Sequence, residues 1–151
     1  MSAAQLQILQ ELYEQLRTHG EETYPHECCG IFLGRATESS IEVSSLMRAG
    51  NMRTDSAHNR YQIDPRELIA AQREGRKLGL DIVGFYHSHP DHPAQWSQTD
   101  FAEAHWFGCA YLITAIEGDK QIGRATLSNS FLLTGSNEEN KAFKPQPIDV
   151  R

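Results

Sequence analysis

The sequence contains no run of 18 apolar residues, so no segment of it reads as a membrane helix. It has no basic cluster, and a formal net charge of −6 repels a nucleic-acid backbone or an anionic membrane surface on average. The opening residues, MSAAQLQILQELYEQL, lack the basic region that begins a signal peptide. Cysteine is scarce and odd in number: Cys28, Cys29 and Cys109 make a poor disulfide framework and fit a reducing compartment. A cytoplasmic protein without nucleic-acid or membrane partners is therefore expected. Internal repeats and an interior linker are also missing. What is present is one ordinary globular sequence of 151 residues, 39% hydrophobic, long enough to bury roughly 70% of the surface its unfolded chain exposes.

Leu6, Ile8, Leu9, Leu12, Tyr13 and Leu16 recur at helical spacing and predict an amphipathic helix over residues 4–18. ECCGIFLGR and IEVSSLM read as two neighbouring strands joined by a polar turn. The unpatterned stretch AGNMRTDSAHNR reads as a loop placed to lie over a site, and Tyr61 to Ile63 as a brief strand. Asp64-Pro65 starts a second helix that ends near Gly79 and feeds LDIVGFYHSH, the most strand-like segment of the chain. Ser97 caps a short helix to about Trp106; CAYLITAI, QIGRATLS and FLLT follow as strands, the first two turning at Gly118-Asp119. Residues 135–151 are polar with two prolines and predict a loosely attached tail behind a single domain over 1–134. The pattern is that of an α/β sandwich, a mixed central sheet covered by helices on both faces.

Residues 84–100, GFYHSHPDHPAQWSQTD, carry the chemistry. In a strand, residues two apart share a face, so His87 and His89 project side by side while Ser88 points away. Pro90 cannot continue an inner strand, which puts the pair at the strand's end, where open α/β sheets bind ligands. A zinc ion wants a third protein ligand, and Asp100, in the first turn of the helix capped by Ser97, can return to supply it. Two histidines and a carboxylate suit zinc, although iron and manganese take the same set. Zinc held this way makes hydroxide available near neutral pH. Hydrolysis of an amide then needs a proton carrier, and Glu27, at the head of an apolar run that raises a carboxyl's pKa, is the candidate. Ser97 can donate to an oxyanion, though its N-cap role alone explains its residue type.

Glu27, then His87-Ser88-His89-Pro90, six residues, Ser97, two residues and Asp100, resembles the JAMM motif of the MPN-domain metallopeptidases without departure. A lone HxH pair is weak; the full spacing is specific. PHECCGIFLGR and RYQIDPREL are similar to the compact prokaryotic branch, so the resemblance covers about residues 5–134. It implies a cytidine-deaminase-like three-layer fold and one zinc ion held by His87, His89 and Asp100, with Glu27 as acid/base and Ser97 supporting the oxyanion. It further implies hydrolysis after the C-terminal Gly-Gly of a ubiquitin-like or sulfur-carrier protein. Only this pattern separates Glu27 from Glu21, Glu22, Glu38 or Glu42.

Two rivals stand beside this reading. A non-catalytic MPN-type scaffold generally lacks some of the metal ligands, all of which are present here. A zinc nucleoside deaminase needs H-x-E with P-C-x-x-C, and the adjacent Cys28 and Cys29 cannot replace that pair. The three cysteines fit small core packing. Whether the chain forms a homodimer is not legible in the sequence.

Overall fold

The computed structural model describes residues 4–51 and 62–151. Its described residues form one mixed sheet of β1 (Gln5–Ile8), β2 (Cys29–Ala36), β3 (Ser40–Ala49), β4 (Asp81–Pro90), β5 (Ala110–Gly118), β6 (Gly123–Thr134), β7 (Ala142–Gln146) and β8 (Ile148–Val150). The spatial order is β7-β6-β5-β4-β2-β3-β1-β8. The β4–β5, β1–β3 and β1–β8 pairs are parallel and the others antiparallel. Helices α1 (Gln10–Thr23), α2 (Pro65–Leu78) and α3 (Gln98–Ala102) complete the fold. None of them is long and apolar enough to cross a membrane.

Strand alternation divides the core in two. Phe32, Val43, Tyr86 and Leu112 meet Leu16 of α1 on one face, while Ile31, Leu33, Phe85, Tyr111 and Ile113 meet Ala71 of α2 and Phe101 of α3 on the other. Each face buries its own apolar set, so the sheet is the middle of three layers. This is the expected α/β sandwich. Asp64 caps α2 by accepting the Arg66 N–H at 2.8 Å, and Gly79 closes it in the left-handed conformation at φ 70°.

Residues 5–8 are a strand, not the first turns of a helix. Leu6 and Ile8 are buried while Gln5 and Gln7 are half-buried, which is period two. Pairing with β3 on one side and β8 on the other supplies the backbone partners. Leu9, which completed the helical spacing, is half exposed, and the helix starts one residue later. The α3 helix stops at Ala102, short of Trp106, and FLLT is the end of β6 rather than a separate strand. Ile63 makes one antiparallel bridge to Asn51; most of the predicted 49–60 loop, and Tyr61, lie outside the described residues.

The segment expected to trail as a tail also supplies structure. It contributes β7 and β8, one at each edge of the sheet. Phe143 of β7 packs against Phe101, Tyr111 and Phe131, with ring centroids 5.3–6.0 Å apart. Lys141 donates from its buried Nζ to the carbonyls of Phe101 at 2.7 Å and Ala104 at 3.2 Å, closing the end of α3. The last residues thus anchor the short helix that carries Asp100. Lys141→Met keeps the stem and removes the donor from both carbonyls, of which that of Phe101 still accepts the Ala104 N–H at 3.2 Å. It is expected to cost about 1–3 kcal/mol, a drop of several degrees in the thermal midpoint; an unchanged midpoint would show that the anchor carries nothing.

Candidate active site

The site lies at the carboxyl end of β4, where Pro90 ends the strand and the chain leaves for α3. β4 is central, flanked by antiparallel β2 and parallel β5, and buried from Val83 onward. Its alternation sends His87 and His89 to the face that Phe85 shares with α2 and α3. Ser88 faces α1, and a Cβ placed on Gly20 would lie 3.3 Å from its own Cβ. Beyond Asp91, which takes a positive φ of 57°, the chain turns back to Ser97. There Ser97 Oγ accepts the Asp100 N–H at 3.0 Å and Asp100 Oδ2 accepts the Ser97 N–H at 2.9 Å, a reciprocal capping box. The cap therefore also orients the Asp100 carboxylate toward the histidines.

Three donor side chains converge. His87 Nε2 lies 3.2 Å from His89 Nε2, Asp100 Oδ2 lies 3.1 Å from His89 Nε2, and Asp100 Oδ1 lies 3.4 Å from His87 Nε2. Zinc bonds of about 2.0–2.1 Å in a tetrahedron put neighbouring ligand atoms about 3.3 Å apart, so these separations have the size of one ion's ligand set. The chemistry agrees with the size. His89 Nδ1 lies 2.9 Å from the Pro93 carbonyl, which can only accept. The hydrogen of the neutral ring therefore sits on Nδ1, and the Nε2 lone pair faces the other two donors. Lone pairs packed this closely call for a cation between them. Asp100 supplies the negative charge: burial opposes its ionisation, yet His87, His89 and the Ser97 N–H hold its carboxyl far below the usual range. Burial pushes His87 down. For His89, burial also works against the charged form, but the hydrogen bond to Asp100 that the protonated ring can make, the charges of Asp100 and Glu27 and the Pro93 carbonyl together outweigh it and hold the pKa up.

Glu27 completes the cluster. It is 3% exposed, and with His87 and His89 it offers one ligand atom each within 4.8 Å of one another. Its Oε1 is buried without a hydrogen-bond partner among the described residues. Burial first, then the charge of Asp100, pushes its pKa up to about 8 although His89 draws it down. Two carboxyls beside one histidine pair thus differ in character: Asp100 is the fixed anion, and Glu27 is the one able to gain and lose a proton near neutrality. Glu27 sits just ahead of β2, whose Cys29 is paired with His87. Ser88 strengthens that junction, since its Oγ accepts the Cys28 N–H at 2.8 Å and its own N–H donates to the Cys28 carbonyl at 3.2 Å.

The four residues singled out by spacing and the glutamate singled out by the family pattern all lie in this region: His87, His89, Asp100 and Glu27 converge, and Ser97 adjoins Asp100. Sequence reasoning assigned no task to Ser88, the residue between the histidines; its polar type at an inward strand position was the available signal. Cys28, Cys29 and Cys109 are buried free thiols with pKa values raised by burial, and none belongs to the cluster. His26, His92 and His105 are exposed, and His58 lies outside the described residues.

A family model described as prokaryotic homologs of the JAB domain matches residues 9–128. The desampylase of Haloferax volcanii is 29% identical over 126 residues, covering 78% of this chain and 86% of its own. A probable TtuB-protein conjugate cleaving protease of Thermus thermophilus is 32% identical over 113 residues, 75% of this chain and 72% of its own. The solution structure of protein DSY2949 from Desulfitobacterium hafniense superposes with a TM-score of 0.76 at 26% identity, covering 97% of this chain and 92% of that one. The matched span contains the whole cluster from Glu27 to Asp100, and with it the chain belongs to the prokaryotic JAB-domain branch of the JAMM/MPN family.

Proposed function

We propose that the chain is a zinc-dependent peptidase that hydrolyses the amide bond after the C-terminal Gly-Gly of a ubiquitin-like or sulfur-carrier protein. The observation that carries the reading is one histidine pair flanked by an ionised carboxylate on Asp100 and a proton-accepting one on Glu27. Its substrate class is supported by a relative named for cleaving TtuB-protein conjugates. His87, His89 and Asp100 would hold the ion. When bound, it supplies Lewis acidity and lowers the pKa of a water toward ~7. Glu27 takes the proton of the attacking water and delivers it to the leaving nitrogen, so that the acyl carbon gains the hydroxyl as the C–N bond breaks. Ser97 Oγ accepts from the Asp100 N–H and keeps its own hydrogen to donate to the developing oxyanion. His89 keeps its orientation through the Pro93 carbonyl. Three free thiols are consistent with work in the cytoplasm.

The test is to incubate the full chain with ubiquitin-like and sulfur-carrier domains fused through Gly-Gly to a short peptide, and to read the products by mass. Cleavage after the second glycine is expected. Tight binding of such a fusion without any product would instead favour the non-catalytic scaffold.

A further inference from the structure

Glu27 is held from two sides, one hold ending on Ser88 between the two histidines of β4 and the other on Asp91, the residue just after the strand. On its C-terminal side the Cys28 backbone is tied to Ser88. On its N-terminal side, Tyr24 donates its hydroxyl to Asp91 Oδ2 at 2.6 Å. Tyr24 precedes Glu27 by three residues, and Asp91 follows His89 by two. Asp91 is pinned in turn: its N–H donates to the Ile116 carbonyl at 2.7 Å, and its Oδ1 accepts the Gly118 N–H at 2.9 Å. Its φ of 57° is one that Asp tolerates better than most residues. The Tyr24 oxygen also accepts the Lys120 N–H at 2.9 Å. The ring is 6% exposed and lies directly on the β5–β6 hairpin, where a Cβ on Gly118 or Gly123 would come within 2.5 Å of it. One hydroxyl–carboxylate contact therefore joins the end of α1, the approach to Glu27, the exit of β4 and the β5–β6 turn.

We propose that the Tyr24–Asp91 pair is a positioning device that sets the Glu27 carboxyl against the His87–His89 pair. The proposal rests on the reading of Glu27 as proton carrier. Neither residue touches the reacting atoms. A three-residue link reaches up to about 10 Å when extended, so without an outer hold the Glu27 side chain has room to drift, and a misplacement of about 1 Å can cost ~100-fold in rate. Tyr24→Phe removes the hydroxyl and keeps the ring on the two glycines. Asp91→Ala removes the acceptor. Asp91→Asn keeps a tie in the reverse sense, its amide nitrogen donating to the Tyr24 oxygen while its carbonyl still accepts from Gly118.

The experiment uses the full chain loaded with zinc and a ubiquitin-like domain joined through Gly-Gly to a short peptide, with amide hydrogen exchange on the metal-free chain beside it. Tyr24→Phe and Asp91→Ala are expected to lower kcat about tenfold or more with KM, zinc stoichiometry and zinc affinity unchanged. Exchange is expected to rise at the amides of residues 26–28 and 91–92 and to stay unchanged inside β5. Asp91→Asn should recover most of kcat, and the double variant Tyr24→Phe with Asp91→Ala should be no worse than either alone. Wild-type kcat and exchange in Tyr24→Phe would overturn the proposal, as would loss of kcat that merely tracks loss of zinc affinity or thermal stability. A wild-type chain that cuts no such fusion would sink the reading of Glu27 and the proposal with it; an active wild type indifferent to Tyr24→Phe would sink the proposal alone.

Discussion

Glu27→Gln is expected to lose roughly 10²- to 10⁴-fold in turnover while keeping its bound ion. Glutamine has the same shape and can still hydrogen-bond, but it cannot take a proton from water or return one to an amine. The same substitution carries a second expectation that separates a proton carrier from an ordinary buried glutamate. Burial pushes the Glu27 pKa from 4.5 up to about 8. Between those values the folded chain keeps a proton that the unfolded chain has released, so the metal-free protein loses stability as pH rises from 4.5 through 8. Glutamine never ionises. Metal-free Glu27→Gln should therefore melt higher than wild type at pH 8, on the order of 5 °C, with little difference near pH 4.5. A variant that turns over normally removes Glu27 from the chemistry. A melting difference independent of pH would contradict the assignment of Glu27 as the titrating group.

Asp100→Asn and His89→Ala should each weaken zinc binding by more than about 100-fold, beyond the effect of residues that merely support a ligand. Asp100→Asn is the more informative of the two. Its side-chain oxygen can still accept the Ser97 N–H, so the cap on α3 survives while the negative charge between the histidines is lost. The metal-free variant should fold, and zinc titration followed by competition with a chelator reads the loss. Hydrolysis should fall with occupancy and return in part at high zinc. If Asp100→Asn binds zinc as tightly as wild type, Asp100 is only a capping residue, and Glu27 becomes the third ligand in its place.

The site was legible in the sequence because it is local. His87, His89, Ser97 and Asp100 fall within fourteen residues, and period two along a strand plus one helix cap suffices to bring them together. Glu27 was another matter: sixty residues away from His87, it meets the histidines only because β2 pairs with β4, and the family pattern rather than any local rule singled it out. The misread parts share one cause. β7 and β8 form the two edges of the sheet and Gln5–Ile8 lies one strand in, so their backbone partners come from each other and from β3 and β6. Leu6, Leu9 and Leu12 satisfy helical spacing as written, and a polar stretch such as residues 135–151 carries little strand signal; tertiary pairing decides both. Lys141 is the cost of that blindness, since a lysine in a polar segment reads as solvated, whereas here it is buried against the end of α3.

The central claim is that His87, His89 and Asp100 share one divalent ion and leave a coordination position open toward Glu27. Anomalous diffraction at the zinc edge from crystals of the zinc-loaded chain tests it most directly. A single strong peak is expected within about 2.2 Å of both Nε2 atoms and one Asp100 oxygen, with only solvent in the fourth position. A peak elsewhere, or a fourth ligand supplied by the protein itself, would contradict it.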